Sequence, residues 1–357
     1  MDYTDKAVDI RPGEDLDAAR LESFLKDTIP GLDGLLAIRQ FPGGHSNLTY
    51  LLTIGEEEMV LRRPPFGTKA KSAHDMGREY KILSALQPVF PYVPRPLAYT
   101  EDESVMGCPF YVMERISGII LRKDIPEGLK LNPPQVRRLF EQMLEMQFKL
   151  HSLDYKKIGL GDFGKPEGYA ERQVTGWSRR YRNARTPDAP GFEAVMEWLA
   201  ARTPPDSDSP GIIHNDFKFD NLVLDKNDPL KIIGVLDWEM ATIGDPLMDL
   251  GNTLGYWVEK NDPPEAQIMC SMPTNVEGAM TRKEVAAYYG KLSGRAIEHF
   301  DFYYCFGLFR LAVIAQQIYY RYYHGQTKDK RFKGLIFIVQ LLEKTAAGVI
   351  SASEHQP

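Results

Sequence analysis

Three residues of the stretch HNDFKFDN (214–221) can do chemistry, and a fourth stands one short hairpin away. Asp216 is a carboxylate that can accept the proton of a substrate hydroxyl. Asn221 offers an amide oxygen that can turn to a metal ion held against nucleotide phosphates. Asp237, at the end of NLVLDKNDPLKIIGVLD, supplies a second carboxylate for the same ion. Lys218, two residues after Asp216, would lie near the γ-phosphate in transfer. Phosphoryl transfer asks little of a protein beyond positioning and charge neutralisation, and this set provides both, with ATP and Mg2+ as implied cofactors. A solvated turn has a similar composition. The VLDWE that follows at hairpin distance is what separates the two readings.

The elements around the octapeptide suit that task. Residues 15–27 read as a short amphipathic helix, with Leu16, Ala19, Leu21, Phe24 and Leu25 near one side. LLAIRQF (35–41), SNLTYLLTI (46–54), EMVLR (58–62) and PFYVMERISG (109–118) read as strands, and 72–87 as a helix opened by Ser72 and stopped before Pro88. From there the chain turns helical. Asn132 caps, Pro133 and Pro134 open, and Val136, Leu139, Phe140, Met143, Met146 and Leu150 recur at three and four residues. Helices are expected at 168–184, 191–202 and across most of 246–350. The resulting fold class is α+β. A small N-terminal portion (1–116) has an antiparallel sheet and one helix, and a larger, mostly helical portion (117–357) carries the catalytic loop.

Composition narrows the function. The 357 residues carry a net charge of −6, which leaves no footprint for nucleic acid. Three distant cysteines, Cys108, Cys270 and Cys305, form no CxxC pair, and the histidines show no HExxH spacing. There is no GxxxxGK[ST], which excludes the P-loop route to nucleotide binding. The acidic start MDYTDKAVDIRPGED has no apolar core of a leader peptide, and no membrane span is expected. A cytoplasmic protein is the expectation.

IIHNDFKFDNLVLD together with IGVLDWEMATIGDPLMDLG resembles the aminoglycoside phosphotransferase family, itself similar in fold to protein kinases. The branch it resembles is the kinase-like domain found ahead of some acyl-CoA dehydrogenases. The likeness runs from FPGGHSNLTYLL to HGQTKDKRFKG, and so implies a protein-kinase-like two-lobed fold. The family's usual HGDLHPGN reads HNDFKFDN here, with Lys218 in place of the second histidine. The resemblance makes FPGGHSNLTY the phosphate-covering loop, where Gly43 and Gly44 admit the phosphates and Ser46 donates to one. The kinase strand lysine is missing from MVLRRPP. Strand alternation puts Val60 and Arg62 on one face, so Val60 would meet adenine, Arg62 the phosphates, and Glu79 would pair with Arg62. VMERISG resembles the hinge between lobes, offering adenine the carbonyl of Glu114 and the N–H of Ile116. Asp249 is expected to accept N–H bonds from the catalytic loop, Asp245 to cap, His214 to brace and His151 to sit in the core.

For the acceptor, residues 282–344 hold eleven Lys/Arg against five Asp/Glu, a local excess of +6. Such a wall would steer a polyanion and repel a polycation. The arginine-rich segment RQVTGWSRRYRNAR (172–185) is expected to line the same cleft. Arg310 and Arg321 share one face of the helix FRLAVIAQQIYYRYYHG and are the candidate acceptor-binding residues. The implied activity is an ATP- and Mg2+-dependent kinase of a small-molecule hydroxyl, with hydroxyacyl-CoA as acceptor. A kinase of an aminoglycoside or another small alcohol, or a nucleotide-binding pseudokinase, stays open beside it. No second domain of the size flavin chemistry needs is expected in this chain.

Overall fold

The computed structural model describes residues 4–42, 47–66, 75–294, 296–327 and 329–355. The chain begins with α1 (Ala18–Thr28), β1 (Leu36–Gln40), β2 (Leu48–Ile54) and β3 (Glu57–Arg63). Then come α2 (Met76–Leu86), β4 (Pro96–Thr100), α3 (Glu103–Met106) and β5 (Phe110–Glu114). A second stretch holds α4 (Pro133–His151), α5 (Tyr169–Ala184), α6 (Glu193–Ala201) and β6 (Gly211–Ile213). The hairpin β7 (Leu222–Leu224) and β8 (Ile232–Val235) follows, and then β9 (Thr242–Gly244) and α7 (Pro246–Gly255). Last are α8 (Pro264–Gln267), α9 (Arg282–Ser293), α10 (Phe300–Tyr323) and α11 (Leu335–Glu354).

Two compact units share these elements. The first is Met1–Ile120 together with Asn221–Ala241; the second is Leu121–Asp220 together with Thr242–Pro357. The first cut falls after residue 120 rather than 116. The hairpin segment, expected with the helical portion, groups with the sheet.

In the first unit an antiparallel sheet runs in the order β1-β2-β3-β5-β4. Leu21 and Leu25 of α1 bury against one face with Tyr50, Leu52, Ile54, Met59, Leu61, Phe110 and Val112. The last five residues of β3 are buried on both faces, so its two terminal arginines are interior rather than solvated. The sequence reading missed β4. It opens on Pro96 at the sheet edge, where a missing N–H costs nothing. Helix α2 starts at Asp75, whose carboxylate accepts from the Arg78 N–H at 2.9 Å. Ser72, expected to open it, lies outside the described residues.

The second unit is mostly helical. Asn132 and Gln135 form a reciprocal capping box on α4, with proline at its start. The apolar residues named for α4 are all buried. Helix α10 is buried nearly all round and approaches α7 closely: a Cβ at Gly307 would strike the carbonyl oxygen of Gly251. Among the described residues one stretch, Lys330–Glu354, is long and apolar enough to cross a membrane by length and composition, with mean hydropathy 1.6. The sequence reading expected none. Ile336, Val339, Leu342 and Ala346 of that stretch are buried at three- and four-residue spacing, as in a helix packed along one side.

Candidate active site

In the first unit the chemistry gathers on Arg62. Its guanidinium meets the Glu79 carboxylate of α2 at 2.9 Å, Asp237 at 2.8 Å and Glu239 at 3.2 Å. Strand alternation is what turns Arg62 this way, while Arg63 faces the other side and stacks on Phe66. Burial opposes the Arg62 charge, but Glu79, Asp237 and Glu239 outweigh it and hold the guanidinium firmly protonated. Burial also pushes the Glu79 carboxyl up, against the pull of Arg62. The expected Arg62–Glu79 pair therefore forms, and two further carboxylates join it.

The hairpin brings those carboxylates. Leu222 pairs with Val235, and the Leu236 N–H donates to the Asn221 carbonyl at 2.8 Å. Asn221 and Asp237 thus stand at the same open end of one hairpin. Asp237 adopts a left-handed backbone, φ +65°, which costs a non-glycine residue energy and turns the chain abruptly out of the strand. Trp238 pins the turn, buried, with its indole N–H on the Val235 carbonyl at 2.8 Å. Glu239 also accepts from the Asn47 amide at 2.8 Å. An amide oxygen and a carboxylate are the hard donors Mg2+ takes, so Asn221 and Asp237 fit that ion. Val60 is buried and pairs with Met113 on the neighbouring strand. Glu114 ends β5, its N–H donating to the Arg95 carbonyl at 2.9 Å, and Ile116 packs on Gly234. Gly43, Gly44 and Ser46 lie outside the described residues.

In the second unit the catalytic loop hangs from one buried carboxylate. Asp249 of α7 accepts the backbone N–H of His214 at 3.1 Å and of Asn215 at 2.5 Å. His151, the last residue of α4, contacts Asp249 through Nε2 at 2.9 Å and the Tyr289 hydroxyl through Nδ1 at 2.6 Å. With Asp249 ionised, Nε2 donates and Nδ1 accepts. Burial pushes the Asp249 carboxyl up, yet donation from His151 and the loop N–H wins and holds it below its ordinary value. His214 braces the loop as expected, its Nδ1 accepting from the Asp216 N–H at 3.3 Å. Asp245 caps α7, accepting from Leu247 at 2.8 Å.

Asp216 projects from this frame. Lys218 reaches its Oδ2 at 3.1 Å, and the Tyr256 hydroxyl donates to its Oδ1 at 3.0 Å. The Lys218 ammonium also lies 4.7 Å from the centre of the Tyr256 ring and 3.5 Å from Asp220. Burial pushes the Asp216 carboxyl up, but the charges of Lys218 and Arg310 override it and keep the group ionised below the usual range. Burial works against the Lys218 charge too. Tyr256, Asp216 and Asp220 more than offset it and raise the ammonium above its ordinary value. An ionised carboxylate beside a fixed cation can take a hydroxyl proton while the cation faces developing negative charge.

The two acceptor candidates part company. Arg310 is buried, its guanidinium carbon 5.2 Å from the centre of the Trp177 ring, and its charge acts on Asp216. Arg321 is exposed, about 16 Å further along the α10 axis at the usual helical rise. The +6 segment is also partly neutralised by outside carboxylates. Arg282 is held by Asp262 at 2.7 Å and Glu259 at 3.2 Å, and Lys344 lies 3.4 Å from Glu265. Arg295 and Lys328 lie outside the described residues. Sequence reasoning missed Glu239, which the Asp-Trp-Glu spacing could have flagged. It also missed Tyr256, which no local signal marks.

Comparison with known proteins identifies the family and the fold. The sequence profile of the phosphotransferase enzyme family (APH) matches residues 37–280. Human acyl-CoA dehydrogenase family member 11 is 32% identical over 344 residues, covering 94% of this chain and 43% of the human protein. The chain thus spans less than half the length of the curated relatives it matches. A Ralstonia eutropha protein, described as a candidate aminoglycoside phosphotransferase, superposes with a TM-score of 0.80 at 29% identity, over 95% of this chain and 99% of that one. Choline kinase from Cryptosporidium parvum superposes with a TM-score of 0.57 at 13% identity, over 95% and 99% of the two chains, and shares the fold.

Proposed function

Because the chain belongs to the phosphotransferase enzyme family, we propose that it transfers the γ-phosphoryl group of ATP to a hydroxyl of a small molecule, with hydroxyacyl-CoA as acceptor. The observation that carries the reading is Asp216, ionised, fixed on a loop hung from Asp249 and paired with Lys218. The curated relatives, acyl-CoA dehydrogenase family members by name, support an acyl-CoA acceptor.

ATP supplies the phosphoryl group, and Mg2+ neutralises the charge of its phosphates. Asn221 and Asp237 would hold the ion, Arg62 would bind phosphate oxygens bidentately, and Glu79 would keep Arg62 in place. The backbone of Glu114 and Ile116 and the side chain of Val60 would receive adenine. Asp216 takes the proton of the acceptor hydroxyl as the new P–O bond forms and the β–γ bridging bond breaks. Lys218 balances the charge that moves.

The test is direct. The purified chain is incubated with ATP, Mg2+ and hydroxybutyryl-CoA, and ADP and phosphorylated thioester are quantified. Stoichiometric appearance of both, abolished in Asp216→Asn, is the expected result. Phosphorylation of choline or kanamycin without any acyl-CoA turnover would move the acceptor and leave the chemistry. Nucleotide binding with no transfer to any of these acceptors would favour the pseudokinase reading.

A further inference from the structure

Arg310 is 4% exposed, yet no described carboxylate forms an ion pair with it. Its guanidinium rests on Trp177 of α5, and a second guanidinium, Arg180, lies over the same indole at 4.7 Å. Arg180 likewise has no carboxylate partner among the described residues. Burial, together with the like charges of Arg179 and Arg310, lowers the pKa of Arg180, as crowding among cations requires. Removing a cation from water without a counter-ion is costly, and a fold keeps such a group only where something compensates it. The indole does so in part. Two guanidinium groups on one ring, both without carboxylates, leave forked N–H donors for an oxyanion, which such forks bind bidentately.

We propose that Trp177, Arg180 and Arg310 form an acceptor subsite that binds an anionic group of the phosphate-accepting molecule. This deepens the kinase reading and rests on Asp216 as the base, since Arg310 acts within the same unit on Asp216, Tyr169 and Tyr256. Trp177 supplies the platform, its own N–H satisfied by Gln173 at 3.0 Å. A cationic acceptor would meet two positive charges at this place, so amines are rejected by repulsion rather than by shape. The shared chemistry is an oxyanion, from either the carboxylate of a free hydroxy acid or the phosphates of a CoA thioester.

Calorimetry on the full chain with ADP and Mg2+ separates these sources, using hydroxybutyrate, hydroxybutyryl-CoA and the neutral hydroxybutyramide. At least one anionic form should bind about tenfold or more tightly than the amide, the scale of a charge-assisted bidentate contact. Binding of hydroxybutyrate itself identifies the carboxylate as the anion; binding of the thioester alone identifies the CoA phosphates. Arg310→Met should weaken that form about tenfold, and Arg310→Lys should restore part of the loss. Arg180→Gln, at an exposed side chain that leaves the core untouched, should weaken it about threefold. The proposal is overturned if the amide binds as well as both anionic forms, if none of the three binds, or if neither Arg310→Met nor Arg180→Gln changes affinity. Binding without ADP release in a matching turnover assay would instead reject the kinase reading and leave the subsite standing.

Discussion

Arg62 in the first unit and Arg310 in the second are both buried, and their charges are met in opposite ways. Arg62 is surrounded by Glu79, Asp237 and Glu239, so its charge is balanced by the protein itself. Arg310 has an indole and a neighbouring arginine but no carboxylate among the described residues. A guanidinium compensated from within is a structural girder that can also hold a ligand. One left uncompensated has its binding partner still to come. The first therefore couples stability to function, whereas the second separates them, and substitutions at the two sites should show it.

The largest effect is expected at neither arginine but at the proposed base. Asp216→Asn should lower turnover by roughly 10²–10⁴-fold, the range for removing a general base, with ATP affinity close to wild type. Steady-state rates and nucleotide titration measure both; a variant that keeps most of its turnover removes Asp216 from the mechanism. Next comes Arg62→Met. It strands Glu79, nearly inaccessible on α2, without its cation, and should cost about 3–5 kcal/mol of folding stability as well as nucleotide affinity. Urea denaturation reads the first and ATP titration the second. A stable Arg62→Met protein with weak ATP binding would mean the girder description is wrong.

How much of this contrast was legible beforehand depends on the distance over which each partner is found. The Arg62–Glu79 pair is what the kinase resemblance implies, with strand alternation, a local pattern, choosing Arg62 over Arg63. The frame at Asp249 came from the family resemblance, whereas the caps at Asn132 and Asp245 were readable, because each rests on a motif within a few residues. The grouping of Asn221–Ala241 with the sheet was not, since nothing in a hairpin's own residues says which core it joins. The expectation that 172–185 lines the same cleft as 282–344 named both segments, but Trp177 and Arg310 sit on helices far apart in sequence and no periodicity gives their contact. The charge count over 282–344 came out too high for the same reason. Arg282 and Lys344 find Asp262, Glu259 and Glu265 outside the counted window, so a sum along the chain overstates the free charge.

The second unit's buried carboxylate sharpens the comparison by titration. The folded-state pKa of Asp249 lies below its ordinary 3.8, so its ionised form stabilises the fold at every pH above that value. The contribution fades as pH falls through the folded value, where both states bind the proton. Asp249→Asn should therefore show a shallower loss of stability below about pH 4 than wild type, measured by denaturation at a series of pH values. An unchanged acid limb would show that Asp249 is not the group whose protonation loosens the loop. Arg310→Met, by contrast, should change stability by less than about 1 kcal/mol in either direction. It loses a cation–π contact of about 0.5–2 kcal/mol but also relieves a buried charge of its desolvation. A loss as large as that of Arg62→Met would indicate a counter-ion within the fold and abolish the contrast.

The smallest effect should come from Tyr256→Phe. The hydroxyl donates to Asp216 Oδ1 at 3.0 Å while the ring lies under Lys218, so the side chain has two separable duties. Phenylalanine keeps the ring, hence the seat of Lys218, and removes one neutral donor to an ionised acceptor. A hydrogen bond to a charged group is worth about 1.5–3 kcal/mol net, but Asp216 retains Lys218 on its other oxygen and can gain water on the first. The change in turnover should accordingly stay within about tenfold. Its direction is informative. Loss of a donor raises the basicity of Asp216, so the acidic limb of the pH–rate profile should shift to higher pH. If the limb stays in place while turnover falls, Tyr256 acts by positioning the carboxylate and not by tuning it. If Tyr256→Ala, which removes the ring as well, is no worse than Tyr256→Phe, the aromatic seat beneath Lys218 contributes nothing to the chemistry of this unit.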